Sequence, residues 1–231
     1  MTHSVQQHLR IDIGAYDETI RRFLARYDEM LDTAADAIAA IEPKRVIDLG
    51  AGTGSLSERV LDRTTTTVVE LWDVDDSMLE VAQTRLARFG ARAEPIHRSF
   101  DEPFPQCDAI MGSLSLHHIR DLAAKGRLYR RAAEALRPGG VLAVADITVP
   151  NEAPLNAATY RFWADQMVLA GIDERRAWQH FEEWSGEDRF FSLEEELAAM
   201  EAAGLEAGCR WRFGPSTVLL GTRHSALGTR A

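Results

Sequence analysis

The chain has 231 residues and a formal net charge of −10, a length that suits one well-buried domain. An acidic surface repels phosphate backbones, so we do not expect nucleic acid as a partner. No apolar run approaches the roughly 20 residues that a membrane helix needs, and residues 1–14 lack the basic start and apolar core of a signal peptide. The distant Cys107 and Cys209 suit reduced thiols. We therefore expect a cytoplasmic protein with no membrane partner.

Predicted strands and helices alternate along the first two thirds of the chain. Residues 10–42 carry apolar side chains at helical spacing and end at Pro43, which predicts one or two helices. Short apolar or β-branched runs predict strands at 46–49, 66–72, 93–97, 107–112 and 141–145. The predicted helices between them run from the end of a glycine loop to about residue 61, over 77–89 and over 123–136. Residues 137–140, Arg-Pro-Gly-Gly, are predicted to form a turn.

This alternation implies a parallel sheet covered by helices on both faces. Residues 150–204 look helical instead, and strands at about 207–213 and 216–222 follow. Gly214-Pro215 permits a tight hairpin between them, so the last strand is predicted to be antiparallel. The expected fold class is therefore α/β, with a doubly wound, mostly parallel seven-stranded sheet and a helical cap.

The stretch VIDLGAGTGS, residues 46–55, places an acid and three glycines directly after a buried strand. Ligands of doubly wound sheets bind beyond the carboxyl ends of the strands, and glycine lets the backbone approach them closely. Asp73 closes the second strand, where an acid can bind both hydroxyls of a ribose. A dinucleotide fingerprint would need glycine where the chain has Ser55. The carboxylate of Asp48 suits a cation, so a nucleoside with a cationic amino-acid tail fits both acids.

VIDLGAGTG, with ELWDVDDSMLEVA after it and ALRPGGVLAVAD later, resembles the class I S-adenosylmethionine-dependent methyltransferases of the small-molecule type. The resemblance covers about residues 45–148 and the terminal strand pair. It implies S-adenosylmethionine as cofactor, an N-terminal helical cap segment over 1–42, and a methyltransferase domain over 43–231 with a lid insert at about 150–200. The cofactor-binding residues that it implies are Asp48, Gly50, Ala51, Gly52, Gly54, Asp73, Val74, Ser99, Phe100 and Ser113. The family often has an acid near the adenine at the position of Ser99, and here Asp101 is close by.

Three residues are candidates for the chemistry: His117 and His118 of the segment GSLSLHHIRD, and Tyr16 in the N-terminal helical segment. A histidine here could take a proton from a substrate hydroxyl or amine. Alternatively, His117 caps the following segment or packs on the cofactor, and Tyr16 only packs between helices. Asp146 ends the fifth strand, where metal-dependent methyltransferases place a ligand. No Asp-Asn pair follows it, so we expect no metal and a structural or rim position for Asp146.

The segment 155–191 is rich in large apolar side chains and suits a lid whose inner face lines a substrate pocket. A dimer interface or the core of a cap would explain it equally well, so a homodimer stays open. His180 is expected on the lid surface. These large side chains are Tyr160, Phe162, Trp163, Met167, Trp178, Phe181, Trp184, Phe190 and Phe191.

We expect in-line transfer of a methyl group from S-adenosylmethionine to a small-molecule acceptor. One alternative is an enzyme of the carboxy-S-adenosylmethionine synthase group in tRNA modification, which the layout around YDETIRRFLARYDEML resembles. That reaction calls for a cationic residue to hold an extra carboxylate, and none is assigned. The other alternative is a non-catalytic protein that binds S-adenosylmethionine. A nicotinamide oxidoreductase is disfavoured by Ser55.

Overall fold

The computed structural model describes residues 16–224. The first part of the predicted cap segment, residues 1–15, and the end of the predicted methyltransferase domain, residues 225–231, lie outside them. The helices are α1 Tyr16–Phe23, α2 Tyr27–Ala39, α3 Ser55–Arg63, α4 Asp76–Leu86, α5 Leu122–Ala135, α6 Ala153–Leu169, α7 Glu174–Trp184 and α8 Leu193–Ala202. The strands are β1 Arg45–Leu49, β2 Val68–Asp73, β3 Ala93–His97, β4 Cys107–Ser113, β5 Leu136–Ile147, β6 Leu205–Phe213 and β7 Ser216–Arg223.

The seven strands form one sheet in the order β3-β2-β1-β4-β5-β7-β6. Strands β1 to β5 pair in parallel, and β7 runs antiparallel to both of its neighbours, β5 and β6. The doubly wound α/β fold predicted from the sequence is therefore confirmed, including the antiparallel last strand. The direction of strand addition reverses between β1 and β4, and ligands of such sheets bind at this point.

Both faces of the central strands are buried, because helices cover the sheet from either side. Neighbouring residues of β1 show this: Val46 packs into one apolar cluster and Ile47 into the other, and both are 0% exposed. Met30 of α2 belongs to the first cluster, and Leu128 of α5 belongs to the second. The continuous apolar runs of the parallel strands follow from this double coverage. Within residues 16–224 there is no helix whose length and apolar character would let it cross a bilayer.

Side-chain caps define where the helices begin at the carboxyl edge of the sheet. Asp75 accepts a hydrogen bond of 3.0 Å from the backbone N–H of Ser77 and starts α4. Asp121 accepts one of 2.6 Å from Ala124 and starts α5. Caps of this kind satisfy N–H groups that would otherwise lack partners. Since Asp75 is committed to α4, Asp73 is the acid that ends β2, as the sequence predicts.

One local prediction is wrong: residues 137–140 do not form a separate turn before the fifth strand. They belong to β5, which begins at Leu136. Cys107 of β4 pairs with Leu136 and Ala109 with Val141, so the extra residues of β5 bulge out of the ladder. Gly139 takes a φ of +81° in this bulge, a conformation that glycine adopts at little cost.

Candidate active site

A large cavity of about 700 Å³ opens at the carboxyl ends of β1, β2, β4 and β5. Its walls come from α1 and α2, from the loops that follow these strands, and from the segment after β5. Every site residue predicted from the sequence lines it except Gly54. The structure therefore brings both sets of predicted residues, those for the cofactor and those for the chemistry, to one cavity.

The glycine loop after β1 has the conformation and the clearance that only glycine provides. Gly50 has a φ of +63°, and a Cβ placed on it would lie 2.6 Å from the Cβ of Ser115. Ser115 in turn donates a 2.6 Å hydrogen bond to the carbonyl oxygen of Leu49, which joins the loop after β4 to the end of β1. Gly54, with a φ of +78°, precedes α3 and packs against Ala82. Gly54 therefore supports the loop from behind and does not face the cavity.

Asp48, one residue before the end of β1, is a buried carboxylate of which only one oxygen has a hydrogen-bond partner. Its Oδ2 accepts a 2.6 Å hydrogen bond from Ser57, whereas its buried Oδ1 has no partner. Burial, together with the charge of Asp73, raises the pKa of Asp48 to about 7, although the bond from Ser57 opposes this rise. A buried carboxylate oxygen without a partner is costly. This arrangement at the cavity wall fits a ligand that brings a positively charged donor, as S-adenosylmethionine would.

Asp73 binds the glycine loop through its carboxylate. Its Oδ2 accepts a hydrogen bond of 2.8 Å from the N–H of Gly52, and its Oδ1 accepts one of 2.9 Å from the N–H of Asp75. Burial raises the pKa of Asp73, and these backbone bonds work against that rise. Each oxygen keeps a further lone pair, so the carboxylate can still accept bonds from ribose hydroxyls. The carboxylates of Asp48 and Asp73 therefore fit the amino group and the ribose of S-adenosylmethionine, respectively.

The wall next to Asp73 is formed by Val74, Ser99, Phe100 and Asp101. Ser99 accepts a 3.1 Å hydrogen bond from the N–H of Asp101 through its hydroxyl, which keeps both side chains in the same turn. An acid thus reaches this wall two positions after the place where the family often has one.

His117 is held by the carboxylate of Asp146, for which the sequence left a structural and a rim position open. Asp146 is 4% exposed, so it is buried and is not a rim residue. Its Oδ1 lies 2.6 Å from Nδ1 of His117, and its Oδ2 accepts 3.1 Å bonds from the backbone N–H groups of Leu116 and His117. β4 and β5 are adjacent and parallel, so the loop after β4 reaches Asp146, one residue before the end of β5. His117 is thereby fixed with its Nδ1 engaged and its Nε2 available.

His117 and Asp146 each favour the charged form of the other. Burial alone would lower the pKa of His117, but the carboxylates of Asp146 and Asp188 outweigh it and raise that pKa above 6.5. Burial likewise favours protonated Asp146, yet His117 and then Lys125 hold the pKa of Asp146 below its usual range. Asp146 therefore stays ionised and accepts the Nδ1 hydrogen of His117. A histidine in this tautomer presents a basic Nε2.

Asp188 completes the cluster and was not found from the sequence. It lies between α7 and α8, and its Oδ1 is 3.0 Å from Nδ1 of His118 and 3.8 Å from Nε2 of His117. The backbone N–H of Arg189 donates a 2.9 Å bond to the carbonyl oxygen of His117, which fastens this segment to the loop after β4. The ligand-type atoms of His117, His118 and Asp188 lie within 4.8 Å of one another.

Aromatic side chains enclose the half of the cavity next to His117. Phe23, Trp163, Trp184 and Phe190 line it, and the ring centroid of Phe190 is 5.5 Å from that of His117. The aromatic segment is thus both a pocket wall and a packed cap. His180 belongs to that cap: it is 8% exposed, with its ring 4.7 Å from that of Phe23, so the prediction of a surface position is wrong.

Helix α1 contacts both the glycine loop and the aromatic wall of the cavity. Asp17 accepts hydrogen bonds of 2.8 Å from the hydroxyl of Thr53 and of 3.0 Å from that of Ser55, and it pairs with Arg85. At the other end of α1 the carbonyl oxygen of Phe23 accepts a 2.7 Å bond from the indole of Trp163. One helix therefore joins the glycine loop to the aromatic wall.

Tyr16, at the start of α1, lines the cavity beside these groups. Burial, reinforced by the nearby Tyr27 and Asp17, raises the pKa of Tyr16 far above its usual value. Its hydroxyl therefore stays protonated. It can donate a hydrogen bond, but it is unsuited to accept a proton as a base.

Comparisons with known proteins agree with this geometry. A family described as a methyltransferase domain matches residues 47–142. An uncharacterised methyltransferase of Geobacillus kaustophilus is 28% identical over 136 residues, 58% of this chain and 59% of that protein. A ubiquinone/menaquinone biosynthesis C-methyltransferase of Photorhabdus laumondii is 28% identical over 170 residues, 63% of this chain and 64% of the relative. The chain thus matches less than two thirds of each relative's length.

Among solved structures, an O-methyltransferase family protein from Burkholderia thailandensis superimposes with a TM-score of 0.70 at 20% identity. The match covers 93% of this chain and 60% of that one. At this identity the likeness establishes the fold alone.

Proposed function

We propose that the chain is an S-adenosylmethionine-dependent methyltransferase, as its similarity to a methyltransferase domain and to named methyltransferases supports, and that it methylates a hydroxyl group of a small molecule with His117 as the base. The observation that carries the proposal is the buried pair of His117 and Asp146, whose facing atoms are 2.6 Å apart at the wall of the cavity. Such a pair serves an acceptor that must lose a proton as it is methylated.

The cofactor half of the cavity is assigned to the residues at the ends of β1 and β2. Asp48 would bind the amino group of S-adenosylmethionine, and Asp73 its ribose hydroxyls, while the glycine loop leaves room for the chain of the amino acid. When bound, the cofactor supplies an electrophilic methyl group. The side chains around His117 would bind the acceptor and accept its proton.

His117 would accept the acceptor's proton at Nε2, since its Nδ1 is bound to Asp146. Asp146 sets the tautomer and stabilises the imidazolium that forms, and Asp188, 3.8 Å from Nε2, adds to that stabilisation. General bases of this kind contribute about 10²- to 10⁴-fold to a rate. Holding the two reactants in line contributes more, on the order of 7–11 kcal/mol in ideal cases.

The alternatives fit the cavity less well. Making a carboxylated cofactor calls for a cationic residue to hold the extra carboxylate, and no Lys or Arg of residues 16–224 lines the cavity. A non-catalytic S-adenosylmethionine-binding protein would have no use for a buried histidine–aspartate pair beside an aromatic pocket. The acidic net charge of −10 also argues against a tRNA substrate.

The proposal assigns the cluster of His117, His118 and Asp188 to proton transfer. The spacing of its ligand-type atoms, within 4.8 Å, would also suit a metal ion, so our expectation of no metal is part of the proposal. Dialysis against EDTA should leave the activity unchanged. Recovery of activity with a stoichiometric divalent metal alone would contradict the acid–base assignment.

The experiment that tests the proposed function uses S-adenosylmethionine with an isotopically labelled methyl group. The protein is incubated with a panel of phenols, alcohols, amines and carboxylic acids, and the products are identified by mass spectrometry. We expect labelled methyl ethers. His117→Gln should abolish most of the product while cofactor binding, measured by calorimetry, persists. Labelling confined to amines, carboxylates or ring carbons would contradict the proposal.

A further inference from the structure

The cavity wall carries several carboxylates but neither a lysine nor an arginine of the described residues. Asp48, Asp73, Asp101 and Asp188 line it. Two of these carboxylates, Asp48 and Asp73, belong to the half assigned to the cofactor. Asp188 stands in the half assigned to the acceptor, next to His117 and His118.

Two cations close to this cluster, Lys125 and Arg189, are engaged elsewhere. Lys125, whose charge reaches His117, is buried in an ion pair with Glu196. Arg189 follows Asp188 in the chain but is exposed, with its guanidinium 5.5 Å from the ring centroid of Phe191. Neither group lines the cavity.

The two histidines of this half, His117 and His118, do not give it a net positive charge. His117 faces the carboxylates of Asp146 and Asp188, and His118 faces Asp188. Even with both imidazoles protonated, the two carboxylates match their charge. An anionic group of an acceptor would therefore find no unmatched positive charge in this half, and burying an unpaired anion is strongly unfavourable.

The rest of this half is apolar and aromatic. Ile147 and the rings of Phe23, Trp163, Trp184 and Phe190 form its surface. Rings of this kind bind flat apolar groups through stacking and edge contacts.

Resting on the proposed function, we infer that the acceptor is an apolar ring compound whose hydroxyl reaches His117 and which carries no negative charge. Hydroxylated aromatic carboxylates and phosphorylated alcohols are excluded as acceptors. Discrimination against them comes from the charge of the wall, and the size of the cavity plays no part in it.

Three probes with the same ring and hydroxyl test this inference: 2-naphthol, 6-hydroxy-2-naphthoate and the methyl ester of the latter. The ester is larger than the carboxylate but uncharged, so it controls for size. Binding is measured by calorimetry at pH 7.5 on the protein saturated with S-adenosylhomocysteine, which lacks the positive sulfonium. We expect 2-naphthol and the ester to bind at least thirtyfold more tightly than the carboxylate.

A variant pair tests the electrostatic cause. Asp188→Asn keeps the shape of the wall and removes its charge, and it should reduce the discrimination against 6-hydroxy-2-naphthoate at least fivefold. The neighbouring Glu187 is exposed, and Glu187→Gln should leave the discrimination unchanged. The inference is overturned if the carboxylate binds within thirtyfold of 2-naphthol, if neither uncharged probe binds, or if Asp188→Asn preserves the full discrimination.

Failure of this inference and failure of the proposed function can be told apart, because binding is measured without methyl transfer. Charge selection without any transfer to bound 2-naphthol would leave the inference intact and contradict the assignment of His117 as a base for hydroxyl groups. If labelled methyl ethers formed equally well from 6-hydroxy-2-naphthoate, the proposed function would stand and the inference about charge would be contradicted.

Discussion

Nδ1 of His117 lies 2.6 Å from Oδ1 of Asp146, at the point where the adjacent parallel strands β4 and β5 end. The carboxylate also accepts hydrogen bonds from the backbone N–H groups of Leu116, His117 and Ile147. The carboxylate of Asp146 therefore binds both the imidazole of His117 and the backbone of the loop after β4 that carries it. This double role makes the pair the most informative target for mutation.

Replacing His117 should slow the chemistry and spare the cofactor. We expect His117→Gln to lower kcat by about 10²- to 10⁴-fold, the usual contribution of a general base, with cofactor affinity within threefold of wild type. Steady-state kinetics and calorimetry measure the two effects separately. His118→Gln is the matched comparison and should cost less than His117→Gln. If both variants kept wild-type kcat, methyl transfer would need no base from this cluster.

The rate should depend on pH through His117. A histidine accepts a proton only when it is neutral, and its pKa here lies above 6.5, so kcat/KM should rise with pH through an apparent pKa above that value. Asp146→Asn removes the charge that opposes the lowering effect of burial. The midpoint of its pH profile should therefore move to lower pH, with a lower plateau. An unchanged midpoint would show that another group controls the profile.

Asp73 should control cofactor affinity without controlling the fold. Hydrogen bonds to a charged group contribute roughly 1.5–3 kcal/mol each, so Asp73→Ala should weaken binding about ten- to several-hundredfold. Asp73→Asn should cost less, since one oxygen acceptor remains. Asp75 caps α4, so Asp75→Ala should lower the melting temperature slightly, with near-normal binding. Calorimetric titration distinguishes these outcomes, and loss of binding only in Asp75→Ala would reverse the assignment.

Asp48 should make cofactor binding dependent on pH near neutrality. Its pKa of about 7, raised by burial, means that the carboxylate is largely protonated below that pH and cannot attract a cation. Affinity for S-adenosylmethionine should therefore fall as the pH decreases from 8 to 6. Titrations in buffers of different ionisation enthalpy should detect the proton released on binding at pH 7. Asp48→Asn should bind more weakly and release no such proton.

The aromatic wall should separate into a structural part and a contact part. Trp163 is 3% exposed and binds the carbonyl oxygen of Phe23, so Trp163→Ala should cost about 3–5 kcal/mol of stability as well as acceptor binding. Phe190 is only half-buried, and Phe190→Ala should raise the KM for the acceptor with a much smaller change in melting temperature. Thermal unfolding and kinetics on both variants check this. Equal losses of stability would mean that Phe190 belongs to the cap core alone.

The residues proposed to hold the cofactor could be assigned to one cavity from the sequence, because their signals are local in the chain. The acid, the glycines and the residue that ends β2 lie within two strand–loop units, and each marks a backbone position with its own requirement. Gly50 illustrates this, since its φ of +63° and its contact with Ser115 leave no room for a side chain. A single sequence displays such requirements directly.

The catalytic half could be predicted only in part, because its partners come together through tertiary structure. His117 and Asp146 are joined by the adjacency of β4 and β5, which strand order decides and local pattern does not. Asp188 lies between α7 and α8, about 40 residues after β5 in the chain. No motif in the sequence around it indicates a functional role. The bulge at 137–140 was missed for a related reason: its shape depends on pairing with Cys107 and Ala109 of β4.

The contacts of α1 bear on the order in which the two ligands bind. Asp17 secures the glycine loop through Thr53 and Ser55, and Phe23 of the same helix is a wall of the acceptor pocket bonded to Trp163. A cofactor that stiffens the loop would therefore also fix the surface against which the acceptor packs. The expected kinetic scheme is sequential and ordered: cofactor binds first, acceptor second, and the methylated product leaves before the spent cofactor.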